Sequence, residues 1–161
     1  MGISQAERGI ALLRIALGVW LLRGAMAQVV WLPWPWASLA RVQELTGTLA
    51  LHALDHPSFW VRYVVQQALL PHAELYAGIT LIVELLAGAS LLFGMLTVLG
   101  GLLALLLAVM RGVLSHYLGD VLLGYHLLGG AVALVLVLTR AGRRWGFDAL
   151  LAGMRRRAWL W

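Results

Sequence analysis

Ionisable side chains are few in this sequence, and several fall inside long apolar runs. In a bilayer a charge at mid-helix costs on the order of 2.5 to 3.5 kcal/mol unless it is partnered, so such residues are candidates for chemistry. Glu84 sits twelve residues into the run that starts at His72, about 18 Å along a helix and close to mid-membrane. Arg23 and Arg111 lie toward the far ends of the runs from Gly9 and Thr97, and Tyr125 and His126 lie early in the run from Gly119. If successive runs alternate in direction, these five residues share one layer in the outer half of the membrane. Two kinds of chemistry suit the set. One is a structural ion pair, Glu84 with Arg23 or Arg111, the second arginine reaching outward. The other is a polar pocket for a quinone headgroup. There Arg23, Arg111, Tyr125 and His126 would donate to carbonyl oxygens and Glu84 would serve as buried charge partner or proton carrier.

Other chemistries find less support. There are no cysteines, which excludes disulfides, thiolate metal sites, iron–sulfur clusters and thiol catalysis, so a redox centre would come from a diffusible molecule or a partner chain. No Ser-His-Asp order, phosphate-cradling glycine loop or His-Glu-x-x-His appears. His116 is expected at the outer rim with His72, Glu74, Tyr117 and Asp120, and His126 lies about 10 Å deeper, which argues against a shared haem. His52 and His56 are spaced for one helix face, but Pro57 should pull His56 out of the helix, and both read as surface histidines. No metal is expected.

The elements that must position these groups follow from composition. The chain has 161 residues, 62% hydrophobic and 12% charged, with a mean hydropathy of +0.88; soluble domains carry about a quarter charged. That balance excludes an ordinary water-soluble globule. Four segments reach the roughly 20 apolar residues needed to cross a bilayer: 9–32, 72–95, 97–117 and 119–139. Backbone pairing in lipid makes them helices. The expected fold is therefore an all-α integral membrane protein, a single four-helix bundle with tight joints after the second and third helices. The first segment holds Arg14 and Arg23 and lacks a compact apolar core with a small-residue cleavage site, so it reads as a helix of the fold and not as a signal peptide.

Residues 33–71 form a long, moderately polar outer loop with two amphipathic stretches, Trp36 to Leu54 and Pro57 to Leu70. Asp55 or His56 is expected to cap the second, with Pro57 in its first turn. Trp31, Trp34, Trp36 and Trp60 suit the headgroup level, so the loop should lie on the membrane as a lid. Arginine counting, with Arg8, Arg14 and six arginines in the tail 140–161 against Arg41 and Arg62 in the loop, predicts cytoplasmic termini and an outward lid. The tail run Arg155-Arg156-Arg157 with Trp159 and Trp161 reads as an anchor to anionic lipid or a dock for another subunit; nucleic acid is not an expected partner. Gly100, Ala104, Ala108 and Gly112, with Ser90, Gly94, Gly129 and Ala133 on neighbouring helices, form small-residue stripes for close helix packing.

Three segments carry a family resemblance. The run Glu84-Leu-Leu-Ala-Gly-Ala-Ser-Leu-Leu-Phe-Gly-Met-Leu-Thr97, preceded by Arg14-Ile-Ala-Leu-Gly18 and followed by Ala141-Gly-Arg-Arg-Trp-Gly-Phe-Asp148, resembles the DoxX family, and is most similar to members grouped with the membrane subunit of thiosulfate:quinone oxidoreductase. The resemblance implies a four-helix protein of a prokaryotic inner membrane that works with quinone and with partner subunits. Asp148 would sit near the first turn of a final surface helix, where a carboxylate favours exposed N–H groups. The rival from another class is a non-catalytic accessory subunit of a larger respiratory or photosynthetic membrane complex. A small transporter is weaker, because no inverted repeat or broken helix is visible.

Overall fold

The computed structural model describes residues 5–31, 35–143 and 146–148. Four helices are long and apolar enough to cross a membrane: α1 (Gln5–Met26), α4 (Ala73–Phe93), α5 (Thr97–Ser115, continued by a 3-10 turn to Leu118) and α6 (Asp120–Thr139). They form a ring in which α1 packs on α4, α4 on α5 and α5 on α6, with a lighter α1–α6 contact closing it. The central core joins Leu21, Leu91, Ala104, Ala133 and Leu136. α6 buries only Gly130, Ala133 and Leu136, while Val121, Leu127, Leu128 and Leu138 stand exposed. An apolar helix with so narrow a buried stripe suits a lipid-facing position.

Of the expected stripes Gly100 packs closely on Ser90, while Gly129 meets no neighbour within 4 Å, and a close backbone crossing that the stripes did not include joins Gly18 and Gly88. A Cβ on Gly18 would lie 2.6 Å from the backbone nitrogen of Leu92, so only glycine lets α1 and α4 touch backbone to backbone.

The first helix is shorter than the sequence suggests. It stops at Met26, and Val29–Val30 (β1) pairs antiparallel with Trp36–Ala37 (β2). Two β-branched valines, with Pro33 and Pro35 following in the sequence, disfavour continued helix. The short end leaves Arg23 in the last turn of α1, where a cation faces the unpaired carbonyls.

The lid is α2 (Leu39–Asp55) and α3 (Phe59–Val64), the latter running into a π-helical turn at Val65–Leu69. Ser38 caps α2, its Oγ accepting from the Arg41 N–H at 3.3 Å. His56 does leave the helix, in extended backbone before Pro57. The cap of α3 is Ser58, in place of Asp55 or His56. The reason is local: the His56 Nδ1 accepts the Ser58 N–H at 3.1 Å, so the imidazole organises the turn and the helix starts one residue beyond it. Leu49, Ala53, Val65 and Ala73 join the lid to the start of α4, and the Trp36 ring lies over Gly78. Trp31 and Trp60 are exposed, as headgroup-level residues would be; Trp34 is outside the described residues.

At the end of the bundle carrying the termini, the three segments that bear the family resemblance meet. Gly94 ends α4 in a left-handed conformation, and Leu96 follows with φ 55°. Asp148 holds this turn: its Oδ1 accepts the Leu96 N–H at 2.7 Å, its Oδ2 accepts the Thr97 N–H at 2.9 Å, and its own N–H donates to Gly94 O at 2.8 Å. Arg14, fully buried, donates to Ala141 O at 3.0 Å. Phe147 and Asp148 do begin a helical turn, as expected, but the carboxylate caps α5, because the returning chain passes directly over the unpaired N–H groups where α5 begins. The rest of the expected tail helix and its Arg155–Arg157 anchor lie outside the described residues.

Candidate functional site

α4 is buried on two sides, and the residue it carries at mid-length toward the lid is Glu84, 5% exposed. A lone carboxylate there would be costly, and the fold supplies two guanidiniums. Arg111, one helix away on α5, pairs with Oε1, and Arg41, from the lid helix α2, pairs with Oε2 at 3.1 Å. Arg41 also donates to Thr80 Oγ1 at 3.4 Å and to Gln28 Oε1. Its Nε is buried and has no hydrogen-bond partner among the described residues. One carboxylate between two arginines leaves the cluster with excess positive charge.

The sequence pointed to Arg23 or Arg111 as the partner of Glu84. Arg111 is confirmed, and the second partner is Arg41 in place of Arg23. Arg23 makes no ion pair among the described residues; it lines a cavity of about 390 Å³ with Trp20, Gln28, Glu84, Arg111 and Tyr125. Tyr125 stacks edge-on against Trp20, ring centroids 5.3 Å apart. A second opening of about 280 Å³ reaches the same ion cluster from beneath the lid, between Gln28, Arg41 and Glu44. Glu84, Arg111, Arg23 and Tyr125 therefore do share one chamber.

His126 is placed on the other side of Arg111. It lines a chamber of about 200 Å³ under α2, with His52, Tyr76, Thr80, Arg111 and Ser115, and a narrow gap shared with Arg111 and Tyr125. Arg111 is the hinge between the two spaces. Its side chain is one-third exposed against 7% for that of Arg41, so it keeps donors available while paired.

Arg41 was readable as a site residue from one signal. On α2, Arg41, Leu45, Leu49 and His52 fall at helical spacing on a single face, and that face is turned inward. An arginine within an apolar stripe requires a buried partner. The same stripe corrects the reading of the histidines. His52 and His56 are buried, at 3% and 0% exposure, and not on the surface. The His52 Nδ1 lies 3.0 Å from the Tyr117 hydroxyl. Since the His56 Nδ1 accepts from Ser58, its Nε2 carries the proton and donates to Val113 O at 3.1 Å. Burial, and secondarily the neighbouring His56, hold the His52 pKa below its usual value. His116 stacks edge-on against His56 at 5.0 Å. Among the described residues no group of three or more His, Cys, Asp or Glu is gathered as a metal site.

Chemically, the chamber offers guanidinium and phenol donors beside an internal carboxylate, with an apolar bundle around them. That set can bind a carbonyl-bearing or anionic group and can stabilise negative charge developing on it. No family model matches the sequence, and neither a curated protein nor a solved structure matches it.

Proposed function

We propose that this chain is a DoxX-like integral membrane subunit of a quinone-linked oxidoreductase, and that it binds a quinone headgroup in the lid-side half of the bundle. The observation that carries the reading is Arg111: an intramembrane guanidinium balanced by Glu84, yet exposed to cavities that also contain Arg23, Tyr125 and His126. A purely structural ion pair needs no such chamber and no additional arginine. The donor set fits a quinone, whose carbonyl oxygens accept hydrogen bonds, and the Nε of Arg41, buried and unpaired among the described residues, marks unfilled hydrogen-bonding capacity beside it.

A bound quinone would supply two-electron redox chemistry that a cysteine-free chain lacks. The protein's own groups would do the rest. Arg23, Arg111 and Tyr125 orient the headgroup, His126 donates from the opposite side, and Arg41 closes the site from the lid. Glu84 holds Arg41 and Arg111 in place, and its carboxylate is the candidate proton carrier. The electron donor would act through a partner subunit at the membrane. Purified protein should bind a quinone, and Arg111→Gln should weaken that binding about tenfold; equal affinity in the variant would refute the role of Arg111.

The accessory-subunit reading draws on a different observation, the broad exposed apolar face of α6. It requires stable association with a large complex and no quinone held by this chain.

A further inference from the structure

Between α5 and α6, bounded at the lid end by His56, Ser58 and Val61, runs a cavity of about 570 Å³, within the about 300–1,000 Å³ typical of small-molecule pockets. It extends from His116 down to Leu105 on α5 and from Leu123 to Leu134 on α6, roughly 16 Å at 1.5 Å per residue. Its walls are almost wholly apolar. The exception at membrane depth is His126, the wall this groove shares with the gap leading to Arg111 and Tyr125.

Neither nitrogen of His126 makes a hydrogen bond with any described residue, whereas His52, His56 and His116 each have a partner. Without water to compete, an unmet polar group at this depth is costly, and a ligand that satisfies it gains correspondingly. The groove itself offers little hydrophobic drive, because lipid tails are as apolar as its leucines. Affinity must then come from the head contact, with the chain adding packing only. We infer that this groove is the tail site of the quinone: the headgroup meets His126 and Arg111, and the isoprenoid chain runs from His126 toward Leu134, so that the ligand enters from the bilayer between α5 and α6. This rests on the quinone reading above and adds the substrate class, a long-tailed quinone, and its route.

The test uses the full chain in lipid nanodiscs with two probes of one headgroup, a decyl-substituted benzoquinone and its methyl counterpart. The wild type should bind the decyl probe about fivefold tighter. Ala131→Trp and Val109→Trp, at exposed groove positions, should remove that advantage and leave the methyl probe unaffected. Val121→Trp, exposed and outside the groove, should change neither. His126→Phe should weaken both probes about tenfold. Equal binding of the decyl probe by wild type and both groove variants would overturn the tail site and leave the quinone reading standing. Binding of neither probe to the wild type would overturn both. Should the tryptophan variants fail to fold, a quinone with a photoreactive tail end decides on the wild type: labelling near Leu105 and Leu134 supports the groove, and labelling elsewhere overturns it.

Discussion

The two ends of the bundle treat the same chemistry in opposite ways. At the terminal end Arg14 and Asp148 are buried among glycines so closely that a Cβ on Gly146 would lie 2.6 Å from the Arg14 guanidinium. At the lid end Glu84, Arg41 and Arg111 are flanked by open chambers of about 390, 280 and 200 Å³. Asp148 spends its lone pairs on backbone N–H groups, which fixes a turn. Glu84 spends its own on side chains from two other elements, which leaves room between them. A buried charge is thus no guide to function by itself; the space around it is.

The largest effect should come from removing Asp148. Asp148→Ala removes the acceptors of the Leu96 and Thr97 N–H groups and uncaps α5, and should cost about 3–5 kcal/mol, from about 1.5–3 kcal/mol for each hydrogen bond to a charged group. Unfolding of the purified protein in detergent would measure it; a loss under about 1 kcal/mol would break the contrast between the two ends.

Glu84→Gln is the matching change at the other end. Water can reach Arg111 through the chambers, and the amide retains an acceptor, so the cost should be smaller, about 1–3 kcal/mol. Quinone-dependent turnover should nevertheless be abolished. Unchanged turnover would remove Glu84 from the proton path and leave it a charge partner only.

Arg23→Gln sharpens the contrast further, since Arg23 is exposed and makes no ion pair among the described residues. Stability should stay within about 0.5 kcal/mol while quinone affinity falls. A change in stability without a change in affinity would return Arg23 to a structural role.

The smallest effect is in the lid. His52 is buried, bonded to Tyr117, and its pKa is held below the usual 6.5. The opened state therefore takes up the proton more readily, and lid stability is full above about pH 6.5 and declines as pH falls below it. Between about pH 7.5 and 5.5 the melting temperature should drop, and His52→Gln should flatten that part of the profile.

Much of this was visible in the sequence, and the limits are physical. The spans of α4, α5 and α6 follow from apolar length, and Glu84 and Arg111 from the cost of charge in lipid. The end of α1 was misjudged because Val29, Val30 and Trp31 are as apolar as a helix and differ only in backbone preference. Composition alone hides Arg41 and the lid histidines, because a surface loop and a lid folded inward share it; only the helical spacing of Arg41, Leu45, Leu49 and His52 tells the two apart. Asp148 found its partner across the fold, and no local pattern encodes such a contact.

The most direct test of the quinone site is gentle purification from the native membrane, with mass spectrometry of co-purifying subunits and extracted lipids, repeated on Arg111→Gln. Stoichiometric quinone with the wild type, lost in the variant, is the expected result. A large assembly with established redox or pigment subunits, and no quinone held by this chain, would contradict it and make the Glu84 cluster a structural element of an accessory subunit.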